Sequence, residues 1–150
     1  MVKSLFDPID NIEMIKRINK LNEKMVPEWG SMTVSQMLWH AQRPLKVAHG
    51  ELKLKRGLIS FLFGKLAKKK VMGDEPLDKN LPTVPSFKNK EEPPFDQMKE
   101  DLVGIVRRFS EKGPEGIIKG PHPFFGNLTV QEWDILQWKH LDHHLRQFGV

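Results

Sequence analysis

Four stretches of this chain repeat apolar residues every three or four positions, and none offers a convincing pair of strands. That spacing gathers apolar side chains on one face of a helix and predicts an all-α fold. The first stretch opens at Asp7, a good N-cap, with Pro8 at the tolerated first position. Ile9, Ile12, Ile15, Ile18, Leu21 and Met25 form its expected stripe, which ends at Pro27 and the loop 28–31. The second opens on Thr33-Val34-Ser35-Gln36, a capping box in which the hydroxyl takes the N3 amide and Gln36 reaches back. Val34, Met37, Leu38, Ala41, Leu45 and Ala48 are its apolar side, and Gly50 its stop. The third covers about 95–112, with Phe95, Met98, Leu102, Ile105, Val106 and Phe109, and stops at Gly113-Pro114. The fourth opens on a second capping box, Thr129-Val130-Gln131-Glu132, carries Trp133, Leu136, Leu141, Leu145 and Phe148, and ends at Gly149.

A chain of 150 residues is read as one domain, 1–150, large enough to bury a core without staples. Residues 51–94 form its long connection. A basic amphipathic piece, 53–70, surrounds Leu58-Ile59-Ser60-Phe61-Leu62-Phe63. Then Pro76, Pro82, Pro85, Pro93 and Pro94 predict an extended strap over the surface. A connection of that length permits a crossover. The expected architecture is a four-helix bundle in up-down-down-up order, its second and third helices parallel. The loop 120–126, Gly-Pro-His-Pro-Phe-Phe-Gly, is expected to be stiff and packed down.

The chain has no cysteine. Disulfides and thiolate metal sites are excluded, and a reducing cytosol suits it. Residues 1–10 lack the apolar core of a signal peptide, and no apolar run nears the ~20 residues of a membrane span. A cytoplasmic location is expected. Asn127-Leu128-Thr129 matches a glycosylation sequon but is read as chance.

Four of the six histidines fall in two places: His40 in the second helix, and His140, His143 and His144 in the fourth. His140 and His144 stand four apart, so both project from one helix face and can chelate one ion. His40 from a facing helix would complete a three-imidazole set, the open pattern of catalytic rather than structural sites. Trp133 and Gln137 share that face and are candidate pocket-lining residues. Pro44 leaves the carbonyl of His40 without its helical partner and predicts a distortion there. On an ideal helix His40 lies toward the edge of the apolar stripe.

The blander reading is that histidines near a helix C-terminus answer to the macrodipole alone. His143, about 100° round from His144, is expected to face solvent. His49 and His122 read as helix-end or loop residues. The four tryptophans read first as core, with Trp39 and Trp138 packing under the long connection.

One pattern favours the metal. Trp29-Gly30-Ser31-Met32-Thr33 leads to Met37-Leu38-Trp39-His40. His122-Pro123-Phe124-Phe125-Gly126-Asn127-Leu128-Thr129 leads to His140-Leu141-Asp142-His143-His144-Leu145-Arg146-Gln147-Phe148. Together they resemble the DinB/YfiT-like superfamily, and more narrowly a branch known only as a domain of unknown function. The resemblance implies a four-helix bundle with one divalent ion, usually nickel or zinc, held by His40, His140 and His144. It also implies thiol-dependent transferase, isomerase or hydrolase-like chemistry, with a low-molecular-weight thiol as a candidate partner. The long basic and proline-rich connection departs from the smallest members of that superfamily.

The net charge is +5, and residues 53–70 hold seven lysines and arginines with no acid. That segment is read first as a solvated cap on the bundle, then as a surface for a membrane or an anionic ligand, and last as a nucleic-acid patch. The leading expectation is a divalent-metal-dependent transferase or hydrolase acting on a small molecule, in which the ion activates a thiol or water. No residue is assigned as general base. The alternative is a non-catalytic bundle binding a small molecule or an anionic surface; in a third reading the metal is purely structural. A homodimer stays open.

Overall fold

The structure is a computed structural model that describes residues 3–150, with the side chains of 58–63 left out. The expected capping role of Leu58–Phe63 therefore lies outside the described residues, as do Met1 and Val2. The described chain is all-helical: α1 (Pro8–Lys20), α2 (Val34–Ala48), α3 (Leu58–Val71), α4 (Phe95–Lys112) and α5 (Val130–Gln147), with 3-10 turns at Pro85–Phe87 and Gly113–Gly116. The four expected helices are α1, α2, α4 and α5. The basic piece adds a fifth, α3. The only pairing of extended chain among the described residues is an isolated antiparallel bridge between His122 and Gly126. No described helix is long and apolar enough to cross a membrane.

The caps form as their side chains require. Asp7 Oδ1 accepts from the amides of Ile9 and Asp10. Both capping boxes close: Thr33 with Gln36, and Thr129 with Glu132. Gly50, Gly113 and Gly149 follow their helices with positive φ, a conformation that side chains resist. The helix α2 continues through Pro44.

The stripe expected on α1 is corrected. Ile9 is 77% exposed and Ile12 53%, and the buried residues are Asn11, Met14 and Ile18. At about 100° per residue, a step of three falls roughly 60° short of a full turn. Three such steps carry Ile9 to the side opposite Ile18. The true core face runs through Asn11, whose Nδ2 donates to the carbonyls of Leu5 and Val106, 2.7 Å each. The helix also ends at Lys20, short of Pro27. Just beyond, Asn22 Oδ1 accepts from the amide of Lys24, a local turn that competes with helix.

One core cluster draws on α1, α2, α4 and α5, centred on Met14, Ile18, Met37, Leu38, Leu45, Leu102, Phe109, Trp133 and Leu145. The helices α1 and α2 each pack against both α4 and α5. Side chains tie α3 on: Lys68 pairs with Glu132 at 2.8 Å and donates to Asn127 O, while Lys139 donates to the carbonyls of Val71, Gly73 and Glu75. The loop 120–126 does pack down. His122 Nδ1 accepts from the amides of Phe124 and Phe125, and Gly64 leaves room for the Phe124 carbonyl, with which a Cβ there would clash. The strap crosses the start of α2, where Glu92 accepts from the Thr33 hydroxyl and Glu91 O from Gln36 Nε2.

Candidate metal centre

The helices α2 and α5 pack together and bring His40 against His140 and His144. One ring nitrogen from each of the three lies within 4.8 Å of the others. His40 Nε2 and His140 Nε2 are 3.0 Å apart. Nitrogens each about 2.1 Å from one ion lie roughly 3–3.4 Å apart, so the spacing of His40 and His140 suits a shared ion. His40 and His144 are buried, and His140 is half-buried by its surface exposure.

Two of the rings are held by their far nitrogens. His40 Nδ1 donates to the Phe87 carbonyl at 2.9 Å, an oxygen that can only accept. His144 Nδ1 lies 2.8 Å from Gln147 Oε1, while Gln147 Nε2 donates to the Trp29 carbonyl at 2.7 Å. The bond to Trp29 fixes which way the amide faces, and the Oε1 it turns to His144 can only accept. Both histidines therefore carry hydrogen on Nδ1 and turn an Nε2 lone pair toward the cluster, the arrangement in which outer partners orient metal-binding imidazoles.

Burial keeps these rings neutral. It pushes His40 below the ordinary histidine range and His140 well below it, with the neighbouring imidazoles adding to the effect on His140. His144 is pushed down to about 3, by burial first and by His40 next. Neutral imidazole is the form that binds a metal. The cluster holds no carboxylate. His140 Nδ1 is buried with no hydrogen-bond partner. The donor set thus fits a divalent ion of borderline character, such as zinc or nickel.

Trp133 and Gln137, the expected pocket-lining residues, are both deep in the core on the histidine face of α5. The Trp133 ring packs 4.9 Å from that of His122. His143 is corrected from solvent-facing to half-buried: its ring packs edge-on against Trp29 and His144 and bonds to the backbone of Leu77. His49 is a helix-end residue as expected, bonded through Nδ1 to Gly116 O. Trp138 is corrected too. It packs partly on the core, with Lys3 of the N-terminal segment over its ring, and Trp39 carries the Arg43 guanidinium at 3.8 Å. Sequence reasoning missed Gln147 and Phe87. Gln147 stands three residues after His144, within reach on the same helix, so its spacing was a usable signal. Phe87 contributes only a backbone carbonyl, which no residue type announces.

The fold and the cluster define a helical domain with a three-histidine centre. The chain belongs to a family described as a protein of unknown function (DUF1569), whose family model matches residues 10–149. No curated protein and no solved structure matches the chain.

Proposed function

We propose that this domain is a divalent-metal-dependent enzyme of the DinB/YfiT-like kind, with His40, His140 and His144 holding one nickel or zinc ion. The observation that carries the reading is the meeting of three ring nitrogens within 4.8 Å, two of them aimed by hydrogen bonds at their far sides. The contacts between helices support an up-down-down-up four-helix bundle. Asn11 meets Val106 while Lys99 meets Asn19 and Leu21, as in antiparallel α1 and α4. Gln42 meets Met98 and His49 meets Phe109, as in parallel α2 and α4. Leu5 meets Asp134 and Arg17 meets Asp142, as in parallel α1 and α5. In this reading α3 and the strap are the crossover.

When bound, the ion supplies Lewis acidity, by which a thiol or a water becomes a nucleophile at neutral pH. The chain's own residues do the positioning. Phe87 O and Gln147 fix the tautomers of His40 and His144, and the surrounding core keeps bulk water from the rings. Three protein ligands leave positions free for a small-molecule substrate, so transfer to or from a low-molecular-weight thiol, or hydrolysis, is the reaction class. With no acid in the cluster, no general base is assigned.

The test is metal analysis by mass spectrometry on tag-free protein. About one divalent ion per chain is expected, and its loss in His140→Ala. Protein that carries no ion and cannot be loaded with nickel or zinc ends the reading.

A second reading rests on α3, where Leu66 is 71% exposed beside exposed Lys65 and Lys69. Such a face suits a non-catalytic bundle that docks on an anionic surface. It ranks second because Lys68 and Lys70 are engaged by Glu132 and Asp78. Salt-sensitive binding to anionic vesicles, abolished by Lys65→Gln and Lys69→Gln together, would favour it.

A further inference from the structure

Four side-chain amides are almost wholly buried: Asn11, Gln42, Gln137 and Gln147. Three spend their hydrogen bonds inside the protein. Asn11 bonds the carbonyls of Leu5 and Val106, Gln42 that of Met98, and Gln147 both Trp29 and His144. Gln137 is 0% exposed and, among the described residues, has a hydrogen-bond partner for neither its oxygen nor its nitrogen. An amide left unpaired in a dry core opposes folding, and proteins keep few such groups.

Gln137 has company. Trp133 Nε1 and His140 Nδ1 are also buried and unpaired. At about 100° per residue, Trp133, Gln137 and His140 fall within an arc of roughly 60° on α5. Four of the seven buried, unpaired side-chain polar atoms among the described residues belong to this one strip, which ends at the histidine cluster. On α2, one turn beyond His40, the Nε of Arg43 is buried and unpaired as well.

The strip is rich in donors. An indole nitrogen only donates, an amide nitrogen carries two hydrogens, and His140 Nδ1 carries one when its Nε2 lone pair turns to the cluster. Against them stands a single acceptor, Gln137 Oε1. The matching ligand group is rich in acceptors, as the two oxygens of a carboxylate are.

We propose that this strip binds the carboxylate of a small organic acid, with Gln137 Nε2 and Trp133 Nε1 as donors, and so directs the rest of that molecule to the three histidines. The inference names a substrate class for the centre proposed above and rests on that reading for where the reacting end lies. The carboxylate contacts themselves need no ion.

The test follows the Trp133 indole and Gln137 amide resonances of ¹⁵N-labelled full-length protein during titration with sodium acetate and sodium pyruvate, against sodium chloride. It is run once with chelator and once with added zinc. Saturable shifts of both groups by the carboxylates are expected in both series, and the Trp133 shift is absent in Gln137→Glu, whose charge repels the ligand. Gln137→Leu provides a second, independent check. Losing an unpaired amide raises its thermal midpoint by roughly 2–8 °C while abolishing the Trp133 shift. Two results overturn the proposal: no saturable shift with either carboxylate, or a lower midpoint for Gln137→Leu, which marks the amide as structural. Carboxylate binding in a protein that takes up no zinc would refute the metal centre and leave this site standing; zinc uptake without carboxylate binding would do the reverse.

Discussion

Acidification from pH 7 to pH 5 is expected to remove stability that His122 supplies as a neutral ring. Its Nδ1 accepts from the amides of Phe124 and Phe125 at 3.0 and 3.1 Å, and its ring lies against Phe125 and Trp133. Burial first, and the nearby Arg56 second, lower its pKa to about 4. A proton on Nδ1 would also face two N–H groups. The folded value lies below the unfolded one of about 6.5, so the unfolded chain takes up the proton first. The stability is therefore fully present above about pH 6.5 and is lost as the pH falls toward 4. At about 1.4 kcal/mol per pH unit, the loss between pH 7 and 5 comes to roughly 2 kcal/mol, less whatever solvent at the ring's open edge recovers. The assay is urea unfolding with chelator present, at both pH values, for wild type and His122→Asn. Asparagine can accept from the same amides and does not titrate. The other buried histidines titrate in both proteins and cancel. Wild type should lose about 2 kcal/mol more than the variant. Equal losses, or a wild type that gains stability on acidification, would refute the reasoning.

Four further outcomes are expected. Asn11→Ala strands the buried carbonyls of Leu5 and Val106 and should cost about 2–4 kcal/mol in urea unfolding. Ile9→Lys should move stability by no more than about 0.5 kcal/mol, while Ile18→Ala costs about 2–5, because the two residues sit on opposite sides of α1. Gln147→Leu frees the His144 ring and should weaken zinc binding about 10–100-fold in competition with a chromophoric chelator. Replacing Pro85 and Phe87 together by glycine loosens the carbonyl that holds His40; a loss of zinc affinity at unchanged helical circular dichroism is expected, and an unchanged affinity would mean that core packing alone sets that ring.

How far each part of the molecule could be read in advance follows from how local its cause is. Thr33 with Gln36, and Thr129 with Glu132, close their boxes within one turn, so both helix starts stand where the residues put them. The glycines after α2, α4 and α5 act on their own backbone angles and are equally legible. The face of α1 is another matter. Its isoleucines look like a stripe, but their three-residue spacing drifts round the helix, and the residue that fixes the face is a polar one, Asn11, whose partners lie on another helix and in the N-terminal segment.

The histidine centre divides the same way. His140 and His144 are legible because one helix sets their separation. His40 sits at the edge of its stripe, and the partner that its Nδ1 bonds is the carbonyl of Phe87, 47 residues along the chain. The strap, which composition presents as a cover, thereby becomes part of the site. The connection that departs most from a minimal bundle thus supplies the bond that sets the tautomer of one candidate ligand. Under the metal reading proposed above, variation in the strap is therefore a means of changing metal affinity and access while the helices that carry the three histidines stay as they are.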